Sequence, residues 1–295
     1  MTGKFPIAAW AAAILAAVLA GCAQGPEMSD DDYIYQLLWQ SDVAGMSALD
    51  GYGGTDGGDR DVAVPQSWYR QQTSYGGFSV QLENDPAMGV CTVTVSHGLV
   101  GELLIDVVWD DTLDYGEKPV NVMRTRRAIV ERREESTQYG GWVLTHITAA
   151  DYLLQGSVQQ EVSITSMRFY VDGELAWECD DPGAFYDVET GLPELSEGQL
   201  VSFEATASHS SPVYVPEFFV YVHGPCPVWP RHLMYDDGNY GDQTAGDGIY
   251  TYQWHVEDTL EDWGIAADVV DADTFADQTE EDYDSGAWGM PVRRI

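Results

Sequence analysis

The chain has 295 residues, enough for two domains of ordinary size, and its hydrophobic content of 44% is that of a globular protein. Against 13 basic residues stand 49 acidic ones, giving a formal net charge of −36. Such a field makes nucleic acid and anionic lipid poor partners and favours cations, or a salty medium that screens self-repulsion beyond a few ångströms.

Lys4 precedes an apolar run from Ile7 to Ala20, which ends in Leu19-Ala20-Gly21-Cys22. The run is shorter than the ~20 residues a membrane-spanning helix needs, so residues 1–22 read as a signal peptide. The tetrapeptide LAGC resembles the lipobox of bacterial lipoproteins. That resemblance implies a thioether-linked lipid on Cys22, which becomes the first mature residue, and a membrane partner reached through the lipid. Ala23, rather than Asp, in the next position resembles the pattern of outer-membrane sorting. The implied location is the bacterial cell envelope, at the outer membrane or cell surface. A plain secretory signal with a chance cysteine is the alternative. No later run is apolar enough to span a bilayer.

Residues 23–61 divide into a tether, a helix and a loop. Ser29 before Asp30-Asp31-Asp32 predicts a capped helix start, with three acids at the positive end of the dipole. Ile34, Leu37, Leu38 and Ser41 fall on one face, which would cover a sheet, and the helix should end near Gly45. Asp50 to Asp61 (DGYGGTDGGDRD) reads as a solvated acidic loop, with a second cation loop as the lesser alternative.

From residue 62 to 154 the pattern is strand-like. Phe78–Leu82, Val90–Ser96 and, in part, Leu103–Trp109 alternate; Asn121–Glu135 and Trp142–Thr148 form a hairpin around Tyr139-Gly140-Gly141. Arg124, Arg126, Arg127, Arg132 and Arg133 gather here. By parity Arg124, Arg126 and Arg132 share one face, and Arg127 and Arg133 the other. They read either as an anion site or, the favoured alternative, as partners of nearby carboxylates. A helix followed by a meander ending RRAIVERREESTQYGGWVLTHIT resembles the closing strands of SnoaL-like cone folds. That implies an α+β cone for residues 62–154; a second β-sandwich is the rival.

From residue 155 onward strand-length runs alternate with Gly, Pro and Asp turns: Gln160–Thr165, Met167–Val171, Glu174–Glu178 after the Asp172-Gly173 turn, Gln199–Ala207, Val213–His223 and Ile249–His255. Closing strands are expected at Ile265–Val270 and Met290–Arg294, with an exposed, mobile acidic segment between them. The class is mainly β, with an immunoglobulin-like β-sandwich over 155–295.

Within that half, Tyr235 to Thr251 reads YDDGNYGDQTAGDGIYT. Asp236, Asp237, Asn239, Asp242 and Asp247 stand among four glycines, which let the backbone curl back on itself. The order is not that of an EF-hand. Hard oxygen ligands at this density suit a structural Ca²⁺, the equal alternative being an empty turn whose carboxylates cap N–H groups. The spacing DDGxxGDxxAGDGxYT resembles the loop of choice-of-anchor X type bacterial surface proteins, which implies a tethered β-sandwich but no reaction.

With Cys22 lipidated, Cys179 and Cys226 are the better disulfide candidates, both beside proline-containing turns, whereas Cys91 reads as a buried strand thiol. Motifs for metallohydrolase, nucleophile-elbow, phosphate-loop and dinucleotide chemistry are absent, and no two of the six histidines are four residues apart. The sequence therefore leans away from an enzyme. It points to a lipid-anchored scaffold or adhesion module with a protein or glycan partner. The alternative is a small-ligand-binding or hydrolytic domain using a cavity in the first half.

Overall fold

The computed structural model describes residues 28–41, 67–83, 86–106, 116–156, 159–212, 217–223, 231–256, 264–276 and 283–294. Residues 1–22, expected to be a signal peptide ending at Cys22, the stretch Asp50–Asp61 and Cys226 lie outside them. The protein is mainly β, built from large antiparallel sheets. Helix α1 (Asp30–Gln40) starts as expected: Ser29 Oγ accepts from Asp32 N–H, and the Asp32 carboxylate accepts from Ser29 N–H. It ends at Ser41, short of Gly45, and buries Ile34 and Leu38.

Three long strands carry the first half: β1 (Ser67–Leu82), β2 (Val90–Asp106) and β3 (Gly116–Arg132). On the buried face of β2 and β3, Cys91, Val93, Val95, Ala128 and Val130 meet α1 and Trp142 of β4 (Trp142–Thr148). The edge of β3 takes two successive partners. Residues 128–132 pair with β4, and residues 122–125 with β5 (Ala150–Leu154). The sheet forks there. β4 continues to β8 (Phe185–Asp187), while β5 continues to β15 (Ser285–Pro291).

Beyond β15 lie β14 (Gly264–Asp271), β11 (Phe218–His223) and β12 (Arg231–Leu233). Strands from both sides of the 154/155 boundary therefore belong to one sheet. This sheet curls until its two end strands meet: Arg231 of β12 donates from Nη2 to the Trp68 carbonyl of β1 at 2.6 Å. The core inside the curl joins Trp68, Leu103, Ile105, Val120 and Val122 to Phe219, Tyr221, Val270 and Phe275.

A four-stranded sheet, in the order β13 (Ile249–His255), β10 (Leu200–His209), β6 (Val162–Val171) and β7 (Glu174–Cys179), covers the opposite face of β11, β14 and β15. Alternation assigns the residues: Val220, Val222, Ile265, Ala267 and Val269 face Ile164, Phe169, Val201 and Phe203, while Phe219, Tyr221, Ala266 and Val270 face the curl. The Asp172-Gly173 hairpin has φ of 51° and 85°, the two left-handed residues a tight two-residue turn requires. A short parallel pair, β9 (Glu194–Leu195) with β16 (Arg293–Arg294), ties the C-terminal end down.

Two expectations need correction. Gln160–Thr165 and Met167–Val171 form one strand, β6, with a register shift opposite Thr206/Ala207. The acidic stretch after β14 begins as helix α2 (Ala272–Ala276), which buries Ala272, Thr274 and Phe275, the last against Trp68 and Phe219, and leaves Asp273 and Ala276 exposed; residues 277–282 lie outside the described set.

Candidate functional site

The acidic loop folds onto the solvent face of β10 and β13. Tyr235 and Thr251 exchange backbone hydrogen bonds at its base, and the Tyr235 and Tyr240 rings stack above them. Gly238, Gly241, Gly246 and Gly248 all have positive φ, which only glycine adopts freely; a Cβ at Gly241 would also press on Gln253 and Ser202.

One oxygen from each of Asp236, Asp242 and Asp247 lies within 4.8 Å of the others. The same carboxylates cap the loop. Asp236 accepts from Gly246, Asp247 and Gly248 N–H, Asp242 from Gly238 and Thr244 N–H, and Asp247 from Ile249 N–H. Asp237 accepts from Asn239 N–H and is not one of the three convergent carboxylates. A carboxylate offers about four lone-pair sites, so Asp242 and Asp247 retain acceptor capacity for a hard cation. Capping and cation binding are thus compatible here.

A second group lies at the seam of the curled sheet. Asp268, fully buried, receives Arg70 through both terminal nitrogens (2.6 and 3.1 Å) and His223 Nε2 at 2.8 Å. Arg70 Nε also donates to the Tyr283 hydroxyl at 2.8 Å. Arg231 lies over the Trp68 ring, 3.4 Å from its centroid. Burial pushes Asp268 upward, but the Arg70 charge and the His223 hydrogen bond outweigh it and hold the carboxyl far below its usual range. Burial is the leading cause that lowers His223, so the imidazole is neutral at pH 7. Asp268 and Arg70 thus form an internal ion pair, while His223 Nδ1 is buried without a hydrogen-bond partner among the described residues.

A third group brings Glu161, His209 and Asp271 together at metal-ligand spacing. The histidine argues against a metal. His209 Nδ1 accepts Ser211 N–H at 2.9 Å, so the neutral ring carries its proton on Nε2 and donates it to Asp271 at 3.1 Å. No lone pair is left on Nε2. Beside it Asp284 accepts Glu161 and Val162 N–H through Oδ2, and its Oδ1 is buried without a partner. Burial, then the Asp271 and Glu161 charges, raise Asp284 to about 6.

The arginines divide. Arg127 pairs with Glu83 (2.7 Å), Arg132 with Asp30 and Arg133 with Glu189 (3.6 Å), as internal neutralisation predicts. Arg124 and Arg126 instead turn inward on β3, between the apolar residues Val122 and Ala128, with buried His97 directly opposite Arg124. Burial, then the neighbouring Arg124 charge, lower Arg126 to about 9, so it remains charged at neutral pH; its Nη2 donates to the Gly289 carbonyl. Cys91 and Cys179 are buried free thiols, and Cys226 lies outside the described residues.

Sequence reasoning missed Arg70, Asp268, His223 and Arg231. The available signal was Asp268 itself, a carboxylate inside the apolar run Ile265-Ala266-Ala267-Asp268-Val269-Val270, which demands a buried cation. No helix among the described residues is long and apolar enough to cross a membrane. No family model, curated protein or solved structure matches the chain.

Proposed function

We propose that the chain is a lipid-anchored protein of the bacterial cell envelope, held through Cys22, whose C-terminal half is an immunoglobulin-like β-sandwich. Its work is scaffolding or adhesion toward a protein or glycan partner rather than catalysis, and the Asp236–Asp247 loop holds a stabilising Ca²⁺. The reading is carried by how the fold uses its buried ionisable groups. Asp268 holds Arg70 and the Nε2 of His223, and His209 is spent on Asp271 and Ser211, so these two imidazoles are each tied to an aspartate. Two β-layers over a shared apolar core suit a rigid spacer. Anchoring rests on the LAGC sequence at residues 19–22.

Metabolic labelling with a clickable fatty acid, followed by fractionation, tests it. Wild type is expected to carry label into the membrane fraction and Cys22→Ser to carry none; equal labelling of both overturns the assignment.

One observation favours a second reading, a small-ligand domain in the first half. Arg124 and Arg126 are buried on one face of β3, Arg124 opposite His97, which suits a carboxylate or phosphate. A rise in melting temperature with millimolar phosphate, lost in Arg126→Gln, would support that reading; no rise removes it.

A further inference from the structure

α1 has a second apolar face that the core does not use. Ile34 and Leu38 point into the protein, whereas Tyr35 is 43% and Trp39 61% exposed. The two rings lie 6.3 Å apart and nearly parallel, and both stand edge-on to Phe78 of β1 (5.6 and 5.1 Å). The turn Pro86–Met88 packs beside α1 and adds Met88, 79% exposed. Large apolar side chains gathered on one exposed face mark an interaction surface.

Chain length names the occupant. Seven residues, 23–29, separate Cys22 from the start of α1. Fully extended, they reach at most about 25 Å, so a lipid on Cys22 keeps α1 within that distance of the bilayer surface. Trp39 lies nine residues into the helix, about 14 Å further along its axis. Tyrosine and tryptophan, with an apolar body and a polar tip, favour the headgroup–acyl boundary. A lipid on Cys22 fixes only the end of the tether, and a second, interfacial contact through apolar side chains adds buried area and sets the orientation of the protein on the membrane.

We propose that the Tyr35–Trp39–Phe78 face is that second contact, seating the protein on the membrane into which Cys22 inserts. The proposal rests on the anchoring reading above. Asp30, Asp31 and Asp32 at the head of the helix fix the lipid class. They repel anionic headgroups, so the surface contacted is zwitterionic, and anionic lipid weakens docking in low salt more than in high salt.

The test uses the full lipidated chain reconstituted into phosphatidylcholine vesicles with brominated acyl chains. Mass spectrometry of Cys22 reads the anchor, and tryptophan quenching reads the docking. Wild type is expected to be quenched, and Trp39→Gln to lose that component while keeping its lipid and its melting temperature. Tyr35→Gln should reduce quenching of Trp39. If lipidated wild type and Trp39→Gln are quenched alike, or acrylamide in the water reaches Trp39 as freely on vesicles as in detergent, the docking is overturned and the anchor stands. In that case the face is left to a protein or glycan. Absence of lipid on Cys22 overturns both.

Discussion

Asp268, fully buried, accepts three hydrogen bonds, two from the Arg70 guanidinium and one from the neutral His223 ring. Asp268→Asn is expected to cost about 3–5 kcal/mol in denaturant unfolding, because Arg70 is left buried without its counter-charge. Its folded-state value is depressed, so this stabilisation is complete above the unfolded value near 4 and is lost as pH falls through the folded one. Asp284 has the opposite sign. With a folded-state value of about 6, its protonated form stabilises fully below about pH 4, and that contribution disappears as pH rises through 6. Asp284→Asn should therefore raise stability at pH 7.5 and flatten the melting-temperature profile between pH 4 and 6. An unchanged profile would show that Asp284 is ordinary. At this scale parity was legible: β3 alternates, and Arg124 and Arg126 share a face. Which face met the core was not, because that depends on α1 and β15 arriving from distant parts of the chain.

The local elements were the most readable. Ser29 with Asp32, and Asp172 with Gly173, specify a cap and a turn through atoms a few residues apart. Ser29→Ala should cost about 1 kcal/mol and loosen the contact of α1 with β4. The Asp236–Asp247 loop was legible in its curl but not in its use, since the oxygens that cap its N–H groups are the same ones a cation would take. The two roles separate by experiment. Ca²⁺ at a hundred times its dissociation constant should add about 2.7 kcal/mol, against a Na⁺ control at equal ionic strength. Asp247→Ala removes one N–H acceptor and one ligand, so it should abolish the Ca²⁺-specific rise with little loss in the metal-free protein. Asp236→Ala, which frees three N–H groups, should be less stable with or without Ca²⁺. Equal responses of wild type and Asp247→Ala to Ca²⁺ would reduce the loop to a turn. The runs Val90–Ser96 and Leu103–Trp109, expected separately, belong as far as Asp106 to one strand, β2, whose intervening Gly98 and Gly101 lie within one ladder to β3.

Across the molecule the sequence carried the strand-rich class and most strand positions in the second half, yet not their order. The 4.7–4.9 Å neighbour of a strand is chosen by shape and apolar match, which no local window contains. β15 sits between β5 and β14, and the inner face of β14 and β11 is covered by Trp68. Residues 155–295 expressed alone are therefore expected to aggregate or to bind a hydrophobic dye, because that face loses its cover. A soluble, cooperatively melting fragment would show that the two halves stand independently. The central place of β15 also sets a timetable. As the chain emerges from N to C, β5 presents an unpaired edge until residues near 285 arrive, and no local rearrangement can fill it sooner. Pairings between strands so distant in sequence make folding slow and leave sticky edges exposed meanwhile. Under the export reading proposed above, the late arrival of β15 keeps the first half from completing its fold before the rest of the chain is made, which favours transport of an unfolded polypeptide.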